Sequence, residues 1–167
     1  LDSAVAGPDG GVLDIRDKGI SKVIPRGSTV IHLAAMSTSG QCAADPSLAA
    51  DVNVSGTLNL WSAAVRAGAE RFVFASTEWV YGDQGGSSAV SEETVLNVRD
   101  LSDIYAITKA SAEALLAAAP GDLGLAILRF GIVYGPRASG WSAAESLLSA
   151  VAHSDEVQVG SLRTSRR

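Results

Sequence analysis

The chain has 167 residues, of which 47% are hydrophobic and 19% charged, a composition that suits one folded domain and excludes extensive disorder. Its formal net charge of -5 argues against a nucleic-acid partner, because contacts to phosphates require a basic surface.

Three short segments are nearly continuous in apolar residues, which is typical of strands in a parallel sheet that helices cover on both faces. They are residues 29–34, 71–76 and 125–130. Residues 12–15 are a weaker candidate for a fourth strand, and residues 156–159 for a fifth.

Helical patterns lie between the predicted strands. Asp45 followed by Pro46 is a strong helix start, and the apolar stripe that follows predicts a helix up to the C-terminal cap at Gly68. Further helices are predicted over residues 102–119 and 142–153. The alternation of strands and helices indicates right-handed βαβ units, and hence an α/β fold with a doubly wound, mostly parallel sheet.

Two further features bound the class of protein. Cys42 is the single cysteine, so an intramolecular disulfide is excluded, and it has no cysteine or histidine nearby at metal-ligand spacing. No apolar run reaches the length of about 18 residues that a membrane span needs. We therefore expect a soluble, cytoplasmic protein without a metal site and without a membrane partner.

Residues 105–109 (YAITK) place Tyr105 and Lys109 one helical turn apart, with Cβ atoms about 5–6 Å from each other. An ammonium beside a phenol favours the phenolate, so we expect the pKa of Tyr105 to fall below its usual value of about 10. Thr77, at the end of a predicted strand, would add a hydroxyl that polarises a substrate alcohol or ketone. The alternatives are an ordinary helix pair and a hydroxyl that caps a turn.

Together with the other segments given below, this pattern resembles the extended short-chain dehydrogenase/reductase family, in its NAD-dependent epimerase/dehydratase branch. The resemblance implies a Rossmann-like fold, NAD as the cofactor, and catalysis by Thr77, Tyr105 and Lys109. The similar segments, in chain order, are residues 12–17 (VLDIRD), 30–35 (VIHLAA), 51–57 (DVNVSGT), 71–82 (RFVFASTEWVYG), 105–109 (YAITK) and 128–136 (LRFGIVYGP).

Carried over residue by residue, the family pattern predicts two further sets of contacts. The cofactor contacts, besides Tyr105 and Lys109, are Asp2, Asp14, Ile15, Leu33, Ala34, Ala35 and Asn53. The substrate contacts are Glu78, Trp79, Ile132 and Arg166. His32 lies inside an apolar strand and is interpreted as a packed core histidine rather than a base.

The sequence also departs from the family pattern. It has no glycine-rich phosphate loop, and Asp2 resembles the acid that follows that loop by about 20 residues, so we interpret the chain as the interior of a longer protein. We predict one incomplete NAD-binding domain over residues 1–167, lacking its N-terminal part, with the substrate-binding region starting at about residue 131. Such a fragment is expected to be inactive by itself.

The resemblance implies an NAD-dependent epimerase or dehydrogenase that acts on a hydroxylated, sugar-like small molecule, including nucleotide sugars. Ile132 stands where sugar-nucleotide enzymes often have asparagine, which keeps a ketone- or hydroxysteroid-type oxidoreductase open. Glu78 and Trp79 replace the Asp-Glu pair of the dehydratases, so dehydration is not expected. A non-catalytic dinucleotide sensor is the third alternative. The family commonly dimerises through two helices that match residues 46–67 and 102–119, which implies a homodimer.

Overall fold

A computed structural model describes residues 4–6, 12–82, 90–133, 143–154 and 156–157. The chain divides into two compact units, Leu1–Phe130 and Gly131–Arg167. The prediction of a single incomplete domain, with a substrate-binding region from about residue 131, stays a prediction.

The strands of the first unit form two sheets. They are β1 (Ala4–Ala6), β2 (Val12–Asp14), β3 (Thr29–His32), β4 (Arg71–Thr77) and β5 (Gly124–Phe130). β3, β4 and β5 are parallel and adjacent in that order, which confirms the three predicted core strands. β2 is the predicted fourth strand, but it pairs antiparallel with β1 in a separate two-stranded sheet.

Two of the three predicted helices lie in the first unit, and a short helix that was not predicted, α1 (Ser39–Ala44), precedes them. In chain order, the helical segments are α1, α2 (Pro46–Ala50), a π-helical turn (Asp51–Gly56), α3 (Thr57–Ala67) and α4 (Ile104–Ala118). Short 3-10 turns occupy Ile20–Val23, Glu78–Tyr81 and Val98–Asp100.

The predicted helix boundaries have clear physical causes. Asp45 caps α2 by accepting a hydrogen bond from the Leu48 N–H at 2.9 Å, and Pro46 occupies the first helical position. α3 ends at Gly68, whose φ of 71° lies in the left-handed region that favours glycine. The stretch from α2 to α3 therefore confirms the helix predicted between Pro46 and Gly68, with a π-turn in its middle.

Helices cover one face of the parallel sheet. Phe72 and Phe74 of β4 are completely buried on that face, whereas Ile31 and Leu128 on the opposite face are 65% and 44% exposed. In the described part of this unit, the predicted cover of helices is therefore seen on one face. The chain moves along the sheet in one direction, from β3 to β4 to β5, so its right-handed crossovers place their helices on the same face.

The described part of the second unit contains α5 (Ala143–His153), which confirms the third predicted helix. Residues 156 and 157 are not in a strand, and the rest of the predicted fifth strand lies outside the described residues. Within the described ranges, no helix is both long enough and apolar enough to cross a membrane.

Candidate active site

The carboxyl ends of β3 and β4 meet at one edge of the sheet, because the two strands are parallel and His32 pairs with Phe74. Thr77 is the last residue of β4, and it also caps the 3-10 turn that follows by accepting a hydrogen bond from the Trp79 N–H at 3.3 Å. The side chain of Thr77 is thereby fixed at the strand end, where it is only 7% exposed.

α4 brings Tyr105 to the same place. Asp103 caps the helix by accepting a hydrogen bond from the Ala106 N–H at 3.0 Å, which positions Tyr105 in the first turn. The phenol ring meets the edge of Trp79 with 6.2 Å between ring centroids, and the Thr77 side chain lies near enough to the phenol to lower its pKa. The structure therefore brings Thr77, Trp79 and Tyr105 together at the end of β4, while their catalytic and substrate roles stay predictions.

Lys109 is buried beneath this group, with 3% of its surface exposed. Its Nζ donates a hydrogen bond to the Ala75 carbonyl at 2.8 Å and lies 4.8 Å from the centroid of the Phe74 ring. Burial lowers the pKa of Lys109 to about 8, because the charged form loses its hydration.

The pKa of Tyr105 is shifted in the direction opposite to the one expected. Burial raises the pKa, and Cys42 and Asp103 push it in the same direction, whereas the neighbouring Thr77 side chain lowers it. Lys109 Nζ lies 5.9 Å from the centroid of the phenol ring and donates to a backbone carbonyl. The expectation that the ammonium favours the phenolate is therefore wrong for this arrangement, in which Tyr105 is a neutral phenol at neutral pH.

Asn53 connects the strand end to α4 from the π-turn. Its side-chain oxygen accepts a hydrogen bond from the Met36 N–H at 2.8 Å, and its amide donates to the Met36 carbonyl at 3.0 Å. The amide also donates to the Thr108 hydroxyl at 3.0 Å, and that hydroxyl donates to the Tyr105 carbonyl at 2.8 Å. Asn53 thus supports the helical turn that contains Tyr105.

His32 is buried next to this network, with Nε2 2.8 Å from the Thr57 hydroxyl. That hydroxyl donates to the Asn53 carbonyl at 2.7 Å, so it accepts from His32, which fixes the imidazole in its Nε2–H form. Burial, with a contribution from the charge of Lys109, lowers the pKa of His32 to about 3. These contacts support its interpretation as a neutral core residue.

The other predicted cofactor residues lie in two places. Leu33, Ala34 and Ala35 follow β3, so they lie at the edge of the sheet where β4 ends at Thr77. Ile15 is completely buried, and its carbonyl accepts a hydrogen bond from Asn59 at 2.7 Å.

Asp14 is engaged by a neighbour. Both of its carboxylate oxygens accept hydrogen bonds from Arg16, which holds the pKa of Asp14 below its usual value. Arg16 also reaches Asp51 at 2.8 Å, so an adenine ring at Asp14 would have to compete with this ion pair.

Of the four predicted substrate residues, two lie next to Thr77. Glu78 and Trp79 open the 3-10 turn after Thr77. Ile132 is 45% exposed and belongs to the second unit. Asp2 and Arg166 lie outside the described residues.

Three residues to which the sequence analysis assigned no role form a further cluster beside the site. Arg129 of β5 binds Glu113 of α4 and the hydroxyl of Tyr81, which ends the turn after Thr77. Glu113 follows Lys109 by four residues on the helix, and that spacing is the one sequence feature that would have indicated it. Beside β5 lies a pocket of about 490 Å³, which none of the predicted site residues line; it is formed by Tyr81, Glu92, Ile127, Leu128, Arg129 and Phe130.

Comparison with known proteins decides the family. Residues 10–167 match the family model described as "NAD dependent epimerase/dehydratase family". The chain belongs to this family. The extended short-chain dehydrogenase/reductase resemblance and the α/β Rossmann-like fold are thereby confirmed.

Relatives within the epimerase/dehydratase family include proteins of two activities. A UDP-glucose 4-epimerase of Neisseria meningitidis serogroup C is 35% identical over 107 residues, which are 62% of this chain and 31% of that protein. A 3beta-hydroxysteroid dehydrogenase/Delta(5)-Delta(4) isomerase 1 of Caenorhabditis elegans is 36% identical over 109 residues, which are 65% of this chain and 23% of that protein. The chain thus spans less than a third of the length of either relative.

A solved structure of the family gives the same result. The UDP-glucose 4-epimerase of Thermus thermophilus, crystallised as a complex with NAD, superposes with a TM-score of 0.69 at 32% identity. The alignment covers 82% of this chain and 45% of that protein. Members of the epimerase/dehydratase family are NAD-dependent enzymes, so the prediction of NAD as the cofactor is confirmed at the level of the family.

Proposed function

We propose that this chain supplies the catalytic residues of an NAD-dependent epimerase that acts on a nucleotide sugar. The observation that supports this proposal best is the convergence of Thr77, Tyr105 and Lys109 at one end of the sheet, where Thr77 acts on the pKa of the phenol and Lys109 donates to the Ala75 carbonyl. The similarity to UDP-glucose 4-epimerases supports the substrate class.

Tyr105 is the proposed proton-transfer group. Because its pKa is raised, it is protonated at neutral pH and serves most directly as an acid toward a carbonyl oxygen. In the oxidative direction the phenol first releases its own proton to solvent, and the resulting phenolate accepts the proton of the substrate hydroxyl. The Thr77 side chain lies near enough to the phenol to affect its pKa, so a substrate oxygen placed between the two groups would be bound and oriented by both.

The residues at this edge of the sheet fit NAD. Among the described residues, Lys109 donates one hydrogen bond, to Ala75, which leaves two of its N–H groups for ribose hydroxyls. The Ser76 hydroxyl is buried without a hydrogen-bond partner in the described structure, and the strand end at Leu33 is 67% exposed. We propose that Leu33, Ala34 and Ala35 lie along the cofactor, and that Asn53 supports its site. NAD, when bound, supplies the hydride acceptor.

The adenine end of the cofactor would be held elsewhere. We propose Asp2, Asp14 and Ile15 for this role, with the carboxylate of Asp14 exchanging part of its contact with Arg16 for the adenine amine. Glu78, Trp79, Ile132 and Arg166 are proposed for the substrate. Trp79 already contacts the Tyr105 ring, so it forms a wall of the proposed substrate site.

A second candidate is a hydroxysteroid-type dehydrogenase with the same three residues. The 36% identity to the nematode 3beta-hydroxysteroid enzyme and the apolar Ile132 favour it. A non-catalytic dinucleotide sensor is disfavoured, because such a protein has no use for a tyrosine and a lysine that converge on the end of one strand.

We also propose that the protein forms a cytoplasmic homodimer through its two long helical segments. Val65 of α3 and Leu115 of α4 are 36% and 43% exposed, so each helix presents an apolar side chain on its outer surface. Light scattering of Leu115→Arg beside the unmodified protein tests this, since a charge at the centre of the interface would convert a dimer into a monomer.

The substrate proposal is tested by incubating the complete protein with NAD and either UDP-glucose or a 3beta-hydroxysteroid. An epimerase converts the sugar nucleotide to its 4-epimer, visible by proton NMR, without net formation of NADH. A steroid dehydrogenase instead produces NADH, seen by its absorbance, with NAD and the steroid but not with NAD and UDP-glucose. Inactivity of Tyr105→Phe in the productive reaction would tie the activity to this site, and full activity of that variant would refute the proposal.

A further inference from the structure

Arg129 joins three segments that surround the proposed site. Its Nε lies 3.1 Å from both carboxylate oxygens of Glu113, and its Nη2 lies 2.7 Å from Oε2. Its Nη1 donates to the Tyr81 hydroxyl at 3.0 Å and to the Glu92 carbonyl at 3.1 Å. Arg129 is paired with Ser76 in the sheet register, so it lies directly beside the end of β4 that leads to Thr77.

Glu113 has two cations within its reach. It follows Lys109 by one helical turn, a spacing at which a glutamate and a lysine normally attract each other. The Glu113 side chain is 5% exposed, and a buried carboxylate is retained only with a charged or hydrogen-bonding partner. In the structure Arg129 takes both carboxylate oxygens, and Lys109 donates to the Ala75 carbonyl instead.

We propose that Arg129 is a positioning residue for Lys109: by binding both oxygens of Glu113, it keeps that carboxylate away from Lys109 and leaves the ammonium directed at the strand end. This inference deepens the proposed function, since it rests on the role of Lys109 toward the cofactor ribose. Without Arg129, the buried carboxylate of Glu113 would draw Lys109 Nζ one turn along α4 and away from Ala75.

The charges around Lys109 agree with this role. Burial lowers the pKa of Lys109, whereas Cys42 of α1 and Glu113 of its own helix raise it. His32 of β3 also faces it, as a neutral imidazole whose own pKa Lys109 helps to lower. Tyr105 contacts it through the ring face. Of these groups, Glu113 is the one that forms an ion pair, and its partner is Arg129.

The same guanidinium also fixes the turn after Thr77. Its centre lies 4.9 Å from the centroid of the Tyr81 ring, in addition to the hydrogen bond with the hydroxyl. Arg129 therefore holds both the helix that contains Lys109 and the turn that Thr77 caps.

The test compares Arg129→Met, Glu113→Gln and the double variant in the complete protein. The first readout is the pKa of Lys109, which is measured by NMR of 13C-labelled lysine. The Lys109 signal is identified by its disappearance in Lys109→Arg. We expect Arg129→Met to raise this pKa by about 1 or more, because the carboxylate is released toward Lys109. The double variant should return it to near the original value. Arg66→Met, which removes an exposed arginine in the last turn of α3, is the matched control and should change nothing.

The second readout is kcat. Arg129→Met should lower it by about 10-fold or more, and removal of the carboxylate in the double variant should restore most of the loss. A double variant as slow as Arg129→Met would show that Arg129 acts only as structural support, and would overturn the inference. An unchanged pKa of Lys109 in Arg129→Met would overturn it as well.

Two further points keep the test decisive. If Arg129→Met does not fold, Arg129→Lys replaces it, because a lysine retains the charge but cannot bind both oxygens as a fork, and a smaller rise in the pKa is expected. The NMR readout needs no substrate. A shifted pKa in a protein without epimerase activity would refute the proposed function while supporting the inference, and the two failures are thus distinguishable.

Discussion

Lys109 and Tyr105 lie on one face of α4, yet the lysine ammonium donates to the Ala75 carbonyl and lies 5.9 Å from the centre of the phenol ring. The two side chains therefore act on different partners. The phenol hydroxyl meets Thr77 at the end of β4, whereas the ammonium meets the backbone two residues earlier on the same strand. This separation leaves the phenol protonated and the lysine available to a cofactor.

Replacing Tyr105 with phenylalanine tests the proton-transfer role. We expect turnover in the complete protein to fall by at least about 10²-fold, because the substitution removes the hydroxyl that carries the exchangeable proton. NAD affinity and the melting temperature should change little, since the ring and its contact with Trp79 remain. Steady-state kinetics with NAD titration measures both. Wild-type turnover in this variant would mean that another group moves the proton.

Replacing Lys109 with methionine should raise stability while abolishing turnover. A buried ammonium with a pKa of about 8 costs folding free energy at pH 7, so the variant should gain about 1–3 kcal/mol in unfolding free energy. The folded pKa lies below the unfolded value of 10.5, so the wild type recovers stability as the pH rises from about 8 to 10.5. The gain should therefore shrink over that range in urea titrations.

The exposed Lys22 provides the matched control for this experiment. Lys22→Met removes the same charge without a buried site, and it should alter stability little at any pH. A Lys109→Met variant less stable than the wild type at pH 7 would show that the hydrogen bond to Ala75 outweighs the cost of burial.

His32 makes the fold sensitive to acid. Its folded pKa of about 3 lies below the unfolded value of 6.5, so its contribution to stability is complete above pH 6.5 and is lost as the pH falls toward 3. Each pH unit in that window should cost up to about 1.4 kcal/mol. His32→Gln, which retains a donor to Thr57, should flatten this dependence in urea titrations between pH 4 and pH 7.

The chain contains one other histidine, the exposed His153 of α5. His153→Gln should leave the pH dependence of unfolding as it is in the wild type. An identical slope in His32→Gln and wild type would contradict the assignment of His32 as a neutral buried group.

Asn53→Ala should reduce both stability and turnover. The substitution removes the acceptor of the Met36 N–H and leaves the Met36 carbonyl with the weak thiol donor of Cys42 at 3.5 Å, at a cost of about 1–3 kcal/mol. It also removes the support of Thr108 under Tyr105. Asn59→Ala is the comparison on α3, because Asn59 also donates to two backbone carbonyls. Asn59→Ala should destabilise the fold but lower kcat less than Asn53→Ala does. Both kcat values are measured below the melting temperatures of the two variants.

The sequence was sufficient for features that depend on local spacing. Tyr105 and Lys109 share a helix face because they are four residues apart, and Thr77 could be placed at a strand end because the apolar run stops there. The parallel direction of the three central strands follows from the alternation of strands and helices.

The remaining features depend on contacts between distant segments. Asn53 finds its partners 17 and 55 residues away, and Arg129 reaches Tyr81 across 48 residues, so no local pattern reveals either contact. The direction of the Tyr105 pKa shift was predicted wrongly because burial and Cys42 act on the phenol in three dimensions, whereas the sequence shows only the nearby lysine. The pairing of β2 with β1 likewise depends on two short strands whose apolar pattern gives no direction.

The π-helical turn Asp51–Gly56 changes the phase between the two helices that it joins. A regular helix advances by about 100° per residue, and a π-turn accommodates one extra residue in this stretch. Removing a single residue here would let the backbone run as one uninterrupted α-helix, with every backbone hydrogen bond satisfied. It would also rotate Asn53 away from Met36 or, if Asn53 stayed in place, rotate Thr57 away from His32. A deletion that looks harmless in the backbone would thus separate two buried contacts that the present register maintains together.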